Sequence, residues 1–149
     1  MCPFFMEVIM IRRMKDGDIN RVMDIWLESN IDAHHFIEES YWRDNYSLVC
    51  QAILESEVYV YEYEGEILGF AGVTKDYVSG IFVDSDFRSM EVGKRLINHV
   101  KNLHSQLELH VYAKNVKALR FYEREGFILE EFRIDKSTNE KECLMKWAK

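Results

Sequence analysis

Between Val78 and Leu103 the chain turns from apolar to turn-rich to amphipathic, and few folds accommodate that succession. Val78 to Val83, interrupted at Gly80, reads as a strand. Asp84-Ser85-Asp86-Phe87 is a turn-rich linker, and Val92, Leu96, Val100 and Leu103 then recur at helical spacing. A strand feeding a loop that opens a helix leaves several backbone N–H groups without intrahelical partners, all pointing the same way. With the helix dipole they suit a phosphate or pyrophosphate. Arg88 and Lys94 add positive charge to the rim of the loop Arg88-Ser89-Met90-Glu91-Val92-Gly93-Lys94. Many such turns bind nothing, so the loop alone does not fix a function.

A second segment narrows the reading. Asn115-Val116-Lys117-Ala118-Leu119-Arg120-Phe121-Tyr122 is followed by Glu123-Arg124-Glu125-Gly126-Phe127. Together the two segments resemble the GNAT superfamily of acyl-CoA-dependent N-acetyltransferases. That family carries a Q/R-x-x-G-x-G/A loop and an N-x-x-A-x-x-F-Y helix ending in a G-F step. Trp26-Leu27-Glu28-Ser29, His35-Phe36-Ile37 and Tyr41-Trp42-Arg43 further resemble a bacterial subgroup of small single-domain members, some of which modify protein lysines. The loop departs at one point: Glu91 stands where the first glycine is expected, and Gly93 alone is kept.

The resemblance implies an α/β (α+β) fold with a mixed, mostly antiparallel sheet of six to seven strands flanked by about four helices. It also implies acetyl-CoA as acetyl donor, with no metal. Its pyrophosphate would lie on the amides of Arg88, Ser89, Met90, Glu91, Val92, Gly93 and Lys94. Ile81, Phe82 and Val83 would offer backbone groups to the pantetheine arm, at a slot opened by a bulge and splay that Gly80 fits. Asn115 and Ala118 would belong to the same cofactor site. Tyr122 matches the family tyrosine that protonates the departing CoA thiolate.

At 149 residues the chain has room for one domain with a full core, and too little for two. Its 48% hydrophobic and 13% aromatic content argues against disorder. Cys2, Cys50 and Cys143 are few, odd in number and far apart, which fits reduced thiols in a cytoplasmic protein. No apolar run approaches the ~20 residues needed to span a bilayer. Residues 1–6 lack the cationic start of a secretory signal and are expected to form a disordered tail, with Met6 an alternative start. The net charge of −7, with Lys and Arg scattered, speaks against nucleic acid as partner and favours a cationic amine.

Glu7 to Arg13 reads as the first strand, and Asp16 as the N-cap of a helix striped by Ile19, Val22, Met23 and Trp26. Asn30 to Ser40 is less regular, and Trp42, Tyr46, Val49 and Ile53 form one further helical face. Val58–Tyr63, Glu64-Gly65 and Ile67–Val73 read as a hairpin, and Tyr77–Val83 continues the sheet. Leu107, Leu109 and Val111 alternate with Glu108, His110 and Tyr112 in a half-buried strand. The helix from Asn115 stops at Gly126, and 127–133 pairs with 142–147 through a polar turn. Tyr59, Tyr61 and Tyr63 read as a covered sheet face.

Tyr122 is the residue placed best for chemistry, since a phenol of pKa ~10 donates a proton while staying neutral. Asn115 is a helix cap, a donor to the cofactor, or both. Phe121 reads as core. No base for the attacking amine stands out: His34, His35, Glu38, Asp76, Ser79 and a water chain all stay open. His34, His35 and Phe36 are expected to line the entrance of the acceptor, a small-molecule or protein amine. His34-His35 and the cysteines lack metal-ligand spacing. The rivals are a non-catalytic CoA-binding or interaction domain, which Glu91 favours and Tyr122 opposes, and a toxin acting on charged tRNA, which the acidic balance opposes. A homodimer stays open.

Overall fold

The computed structural model describes residues 8–149, with Ser89 and Met90 described by backbone alone. The expected tail at residues 1–6, Cys2 and the Glu7 end of the first strand therefore lie outside the described residues. Seven strands form one sheet in the order β1 (Ile9–Arg13), β2 (Glu57–Tyr63), β3 (Glu66–Thr74), β4 (Tyr77–Val83), β5 (Gln106–Tyr112), β7 (Glu140–Ala148) and β6 (Ile128–Asp135). All neighbours are antiparallel except β4 and β5. Helices α1 (Ile19–Ala33), α2 (Glu39–Asp44) and α3 (Tyr46–Glu55) cover one face; α4 (Val92–Asn102) and α5 (Val116–Arg124) cover the other.

The α4–α5 core gathers Tyr59, Tyr61, Ala71, Val73, Val78, Leu96, Leu107, Leu109 and Met145, so the tyrosine stripe is indeed a covered face. Val22, Trp26, Trp42, Val60 and Phe70 fill the core under α1–α3. Glu64 and Gly65 both take positive φ (49° and 84°), as a tight two-residue hairpin turn requires.

Four expectations at element ends need correction. Asp16 opens a short 3-10 turn rather than capping α1, which begins at Ile19; Asp18 accepts from the Lys15 N–H and is held by Arg12 at 2.8 Å. The less regular segment begins later than expected, because α1 runs through Asn30 to Ala33 and Asn30 turns its amide back to the Trp26 carbonyl at 2.8 Å. The single helical face of Trp42 to Ile53 is split in two at Asn45, whose side chain donates to the Tyr41 carbonyl at 2.7 Å and competes with the helical ladder there. Among the described residues there are thus five α-helices, in line with the expected four or so once that face is divided. Leu103 lies one residue past α4 and is exposed.

Candidate active site

The site is built around the one parallel seam of the sheet. β4 and β5 meet at a single pair, Tyr77 beside Glu108, and part beyond it. The register of β4 against β3 shifts between Gly72 and Val73, so β4 carries the bulge expected near Gly80. A Cβ at Gly80 would lie 2.5 Å from the Phe82 ring, which explains the glycine. Asp84 N–H bonds Leu68 O, two residues on from the Phe82–Phe70 pair. By the alternation of antiparallel ladders, Ile81 and Val83 therefore turn their N–H and C=O groups away from β3, toward the gap. Ser29 Oγ donates to the Val83 carbonyl at 3.3 Å.

Tyr122, on α5, is buried against Phe121 and Phe127. Burial raises its pKa well above the ordinary tyrosine value; the Ile81 backbone N–H opposes this, and the nearby Tyr77 adds to it. The side chain stays a neutral acid.

The loop after β4 runs as a 3-10 turn from Ser85, held by Asp84, whose carboxylate accepts from the Asp86 N–H at 2.9 Å and from Arg21 at 2.6 Å. Glu91 caps α4 with φ 57° and ψ 25°, a left-handed conformation natural to glycine, and its side chain is exposed. The first backbone bond of α4 runs from the Arg95 N–H to the Glu91 carbonyl, so the amides of Val92, Gly93 and Lys94 lack intrahelical partners. Val92 itself is fully buried, Lys94 is exposed, and a Cβ at Gly93 would contact Phe121 and Ile81 at the mouth of the gap. Arg88 does not turn to these amides; it pairs with Asp32 of α1 at 2.8 Å beside a cleft of about 380 Å³. The side chains of Ser89 and Met90 lie outside the description.

Asn115 caps α5, its Oδ1 accepting from the Ala118 N–H at 3.3 Å, while its Nδ2 lies 3.1 Å from His34 Nε2. His34 is packed among aromatic rings, stacked on Trp42 and edge-on to Phe36 and Tyr112. Burial pushes its pKa down to about 4. His35 is exposed, and Phe36, half-buried, lies under the Lys114 ammonium. His34, His35 and Phe36 thus share one loop, but His34 turns inward to α5. Of the other base candidates, Asp76 is engaged by His104 and Gln106 at the closed end of the seam.

Sequence reasoning missed a pair that bridges β4 and β5 near their one rung. Tyr77 Oη lies 2.7 Å from His110 Nδ1, and both face away from the α4–α5 core. Burial lowers the His110 pKa, as does Arg133, against the opposing pull of Glu142, Glu108 and Glu131, so the ring is neutral at neutral pH. The alternation of β5 already set His110 opposite Leu109 in the sequence, but its partner Tyr77 lies 33 residues away.

A parallel seam that parts, backbone groups lining the gap, a glycine-mouthed helix start and a buried tyrosine define a CoA-dependent acyltransferase fold. The acetyltransferase (GNAT) domain family model matches residues 55–129. Peptidyl-lysine N-acetyltransferase YiaC of Escherichia coli is 32% identical over 140 residues, covering 93% of this chain and 96% of that protein. The solution structure of apo YjaB from Escherichia coli superposes with a TM-score of 0.83 at 25% identity, covering 94% of this chain and 97% of that one. PaiA N-acetyltransferase of Thermoplasma acidophilum, solved in complex with coenzyme A, shares the fold with a TM-score of 0.77 at 17% identity, over 95% and 99% of the two chains. The chain belongs to the GNAT acetyltransferase family: it is an acetyl-CoA-dependent N-acetyltransferase acting on a primary amine. Among the described residues no helix is long and apolar enough to cross a membrane, and no group of three His, Cys, Asp or Glu side chains is arranged to hold a metal.

Proposed function

We propose that the acceptor is a lysine side chain of a protein and that the parted β4–β5 seam is where acetyl transfer occurs. The observation that carries this reading is a pair of proton-handling groups: Tyr122, buried on α5, and His110 of β5, 2.7 Å from the Tyr77 hydroxyl of β4. The residues fit the cofactor. The outward backbone groups of Ile81 and Val83 match an extended chain of amides, the amides of Val92, Gly93 and Lys94, without intrahelical partners, match a pyrophosphate, and Asn115 and Ala118 open α5, the helix that carries Tyr122. Ser89, Met90 and Glu91 carry the loop that sets those amides. Arg88, held by Asp32 and turned from these amides, adds no direct contact in this arrangement.

When bound, acetyl-CoA supplies an activated acyl group. The chain's own residues handle the protons. His110, neutral at neutral pH, takes a proton from the lysine ammonium, directly or through a water. The amine nitrogen forms its bond to the acyl carbon as the C–S bond breaks. Tyr122 gives its proton to the departing sulfur and recovers one from the new amide nitrogen, while His110 returns its proton to solvent. Glu108, Glu131 and Glu142 act on His110 from nearby, against the cation Arg133, which pairs with Glu142 at 2.5 Å, and the net negative charge suits a cationic side chain. His35 and Phe36 stand at the edge of that face. The same reading favours the cytoplasm, where acetyl-CoA and protein lysines meet.

The test is thiol release from acetyl-CoA with lysine peptides, peptides carrying a free amino terminus but no lysine, and small amines, followed by mass mapping of the acetylated nitrogen. Faster turnover on lysine Nζ is expected. Preference for α-amines or metabolites overturns the lysine assignment, and acetyl-CoA binding without turnover on any amine overturns the enzyme reading.

A further inference from the structure

His34 Nδ1 is buried and makes no hydrogen bond of ordinary geometry among the described residues, with only the Asn30 carbonyl acting on the ring from the backbone, and its other nitrogen explains which way the ring is protonated. The Asn115 carbonyl oxygen is committed to the Ala118 N–H as the cap of α5, so the end of the amide 3.1 Å from His34 Nε2 is the NH2. An amide NH2 only donates, and Nε2 must therefore carry a lone pair. The neutral ring is left with its proton on Nδ1, inside the aromatic cluster. Turning the amide over would set two donors against each other at Ala118 and uncap the helix. The cap fixes the amide, and the amide fixes the tautomer.

Packing does not demand this arrangement. A phenyl ring would fill the same space against Trp42, Phe36 and Tyr112, whose rings lie 5.2 to 5.6 Å from the imidazole, with no buried donor left unpaired. We propose that His34 is a positioning residue. By accepting from Asn115 it holds that amide in the one orientation that both caps α5 and leaves the second N–H of the amide for a carbonyl of the cofactor's pantetheine arm. The inference rests on Asn115 bordering the cofactor. It also joins the loop after α1 to the start of α5 across 81 residues of sequence, and gives His34 a task distinct from touching the acceptor. The uncharged rings around it keep the imidazole neutral, with its pKa pushed down to about 4.

Two substitutions and one spectrum test it. His34→Phe keeps the aromatic packing and removes both nitrogens. The melting temperature should hold or rise, while the acetyl-CoA dissociation constant from calorimetry rises about tenfold, the effect of ~1.4 kcal/mol, with the acceptor KM unchanged. His34→Gln returns an acceptor oxygen near the place of Nε2 and should restore most of the affinity. Stability and affinity falling together in His34→Phe, with no rescue by His34→Gln, means a purely structural role and overturns the proposal. Imidazole nitrogen NMR of the protein without acetyl-CoA should show the Nδ1–H tautomer at neutral pH; an Nε2–H tautomer overturns the proposal independently of binding. Asn115→Ala separates the layers. If it weakens acetyl-CoA binding and His34→Phe does not, positioning alone falls. If Asn115→Ala changes nothing, the assignment of Asn115 to the cofactor falls, and the proposal with it.

Discussion

A phenol buried against Phe121 and Phe127 holds its proton more tightly than a free tyrosine, which keeps Tyr122 neutral across the working range. Tyr122→Phe keeps the ring and deletes the proton. We expect kcat to fall ~10²–10⁴-fold with the acetyl-CoA dissociation constant little changed, measured by stopped thiol release and calorimetry. An equal loss in both would make the hydroxyl a cofactor contact instead. Glu91 presents the reverse case, a side chain where the backbone wants none. Its left-handed conformation costs about 1 kcal/mol relative to glycine. Glu91→Gly should therefore raise stability to chemical denaturation by about that amount and tighten acetyl-CoA binding by removing a negative charge beside the loop. Unchanged affinity would show that the exposed carboxylate lies too far from the pyrophosphate to matter. The placement of Asn115 and Tyr122 on one helix was legible in the sequence because their segment is contiguous. The inward turn of His34 was not, since Trp42 and Tyr112, which enclose it, come from α2 and β5.

At the scale of elements, periodicity found every strand and the faces of the helices, and it misjudged ends where side chains compete with the backbone. Asn45, Asn30 and Asp18 are instances. Asp18 joins β1 to the entry of α1 by accepting from Arg12 and the Lys15 N–H, and the Arg12 hydrogen bond holds its pKa below the usual 3.8. A carboxylate with a depressed pKa in the folded state stabilises it above the unfolded value and loses that contribution as pH falls through the folded one. Wild type should melt above Asp18→Asn by a steady margin at pH ~5 and higher, and the margin should close as the pH drops below 3.8. Calorimetric scans over that range check it. A margin that persists in strong acid would assign the effect to packing of the turn. The parting of β4 from β5 was legible only as an expectation carried by the family resemblance, because one pair of residues on two strands far apart in sequence, Tyr77 and Glu108, decides where it begins.

For the whole molecule, that seam divides the sheet into β1–β4 and β5–β7–β6, stitched at one rung and by the helices beneath. Such a sheet has an interior border that behaves as a pair of edges. The Phe82 amide, bonded across to β3, should exchange with solvent deuterium slowly, and the Val83 amide beside it, turned to the gap, quickly. Addition of acetyl-CoA should slow Val83 and its neighbours on the border far more than Phe82, and raise the melting temperature with ligand concentration. Uniform slowing would place the ligand elsewhere. Under the proposed binding at this border the co-substrate would act on the folded chain as a removable strand, and the rigidity of the catalyst would follow the supply of its own donor: an enzyme starved of acetyl-CoA would also be the looser one, and the first to be unfolded or cleaved.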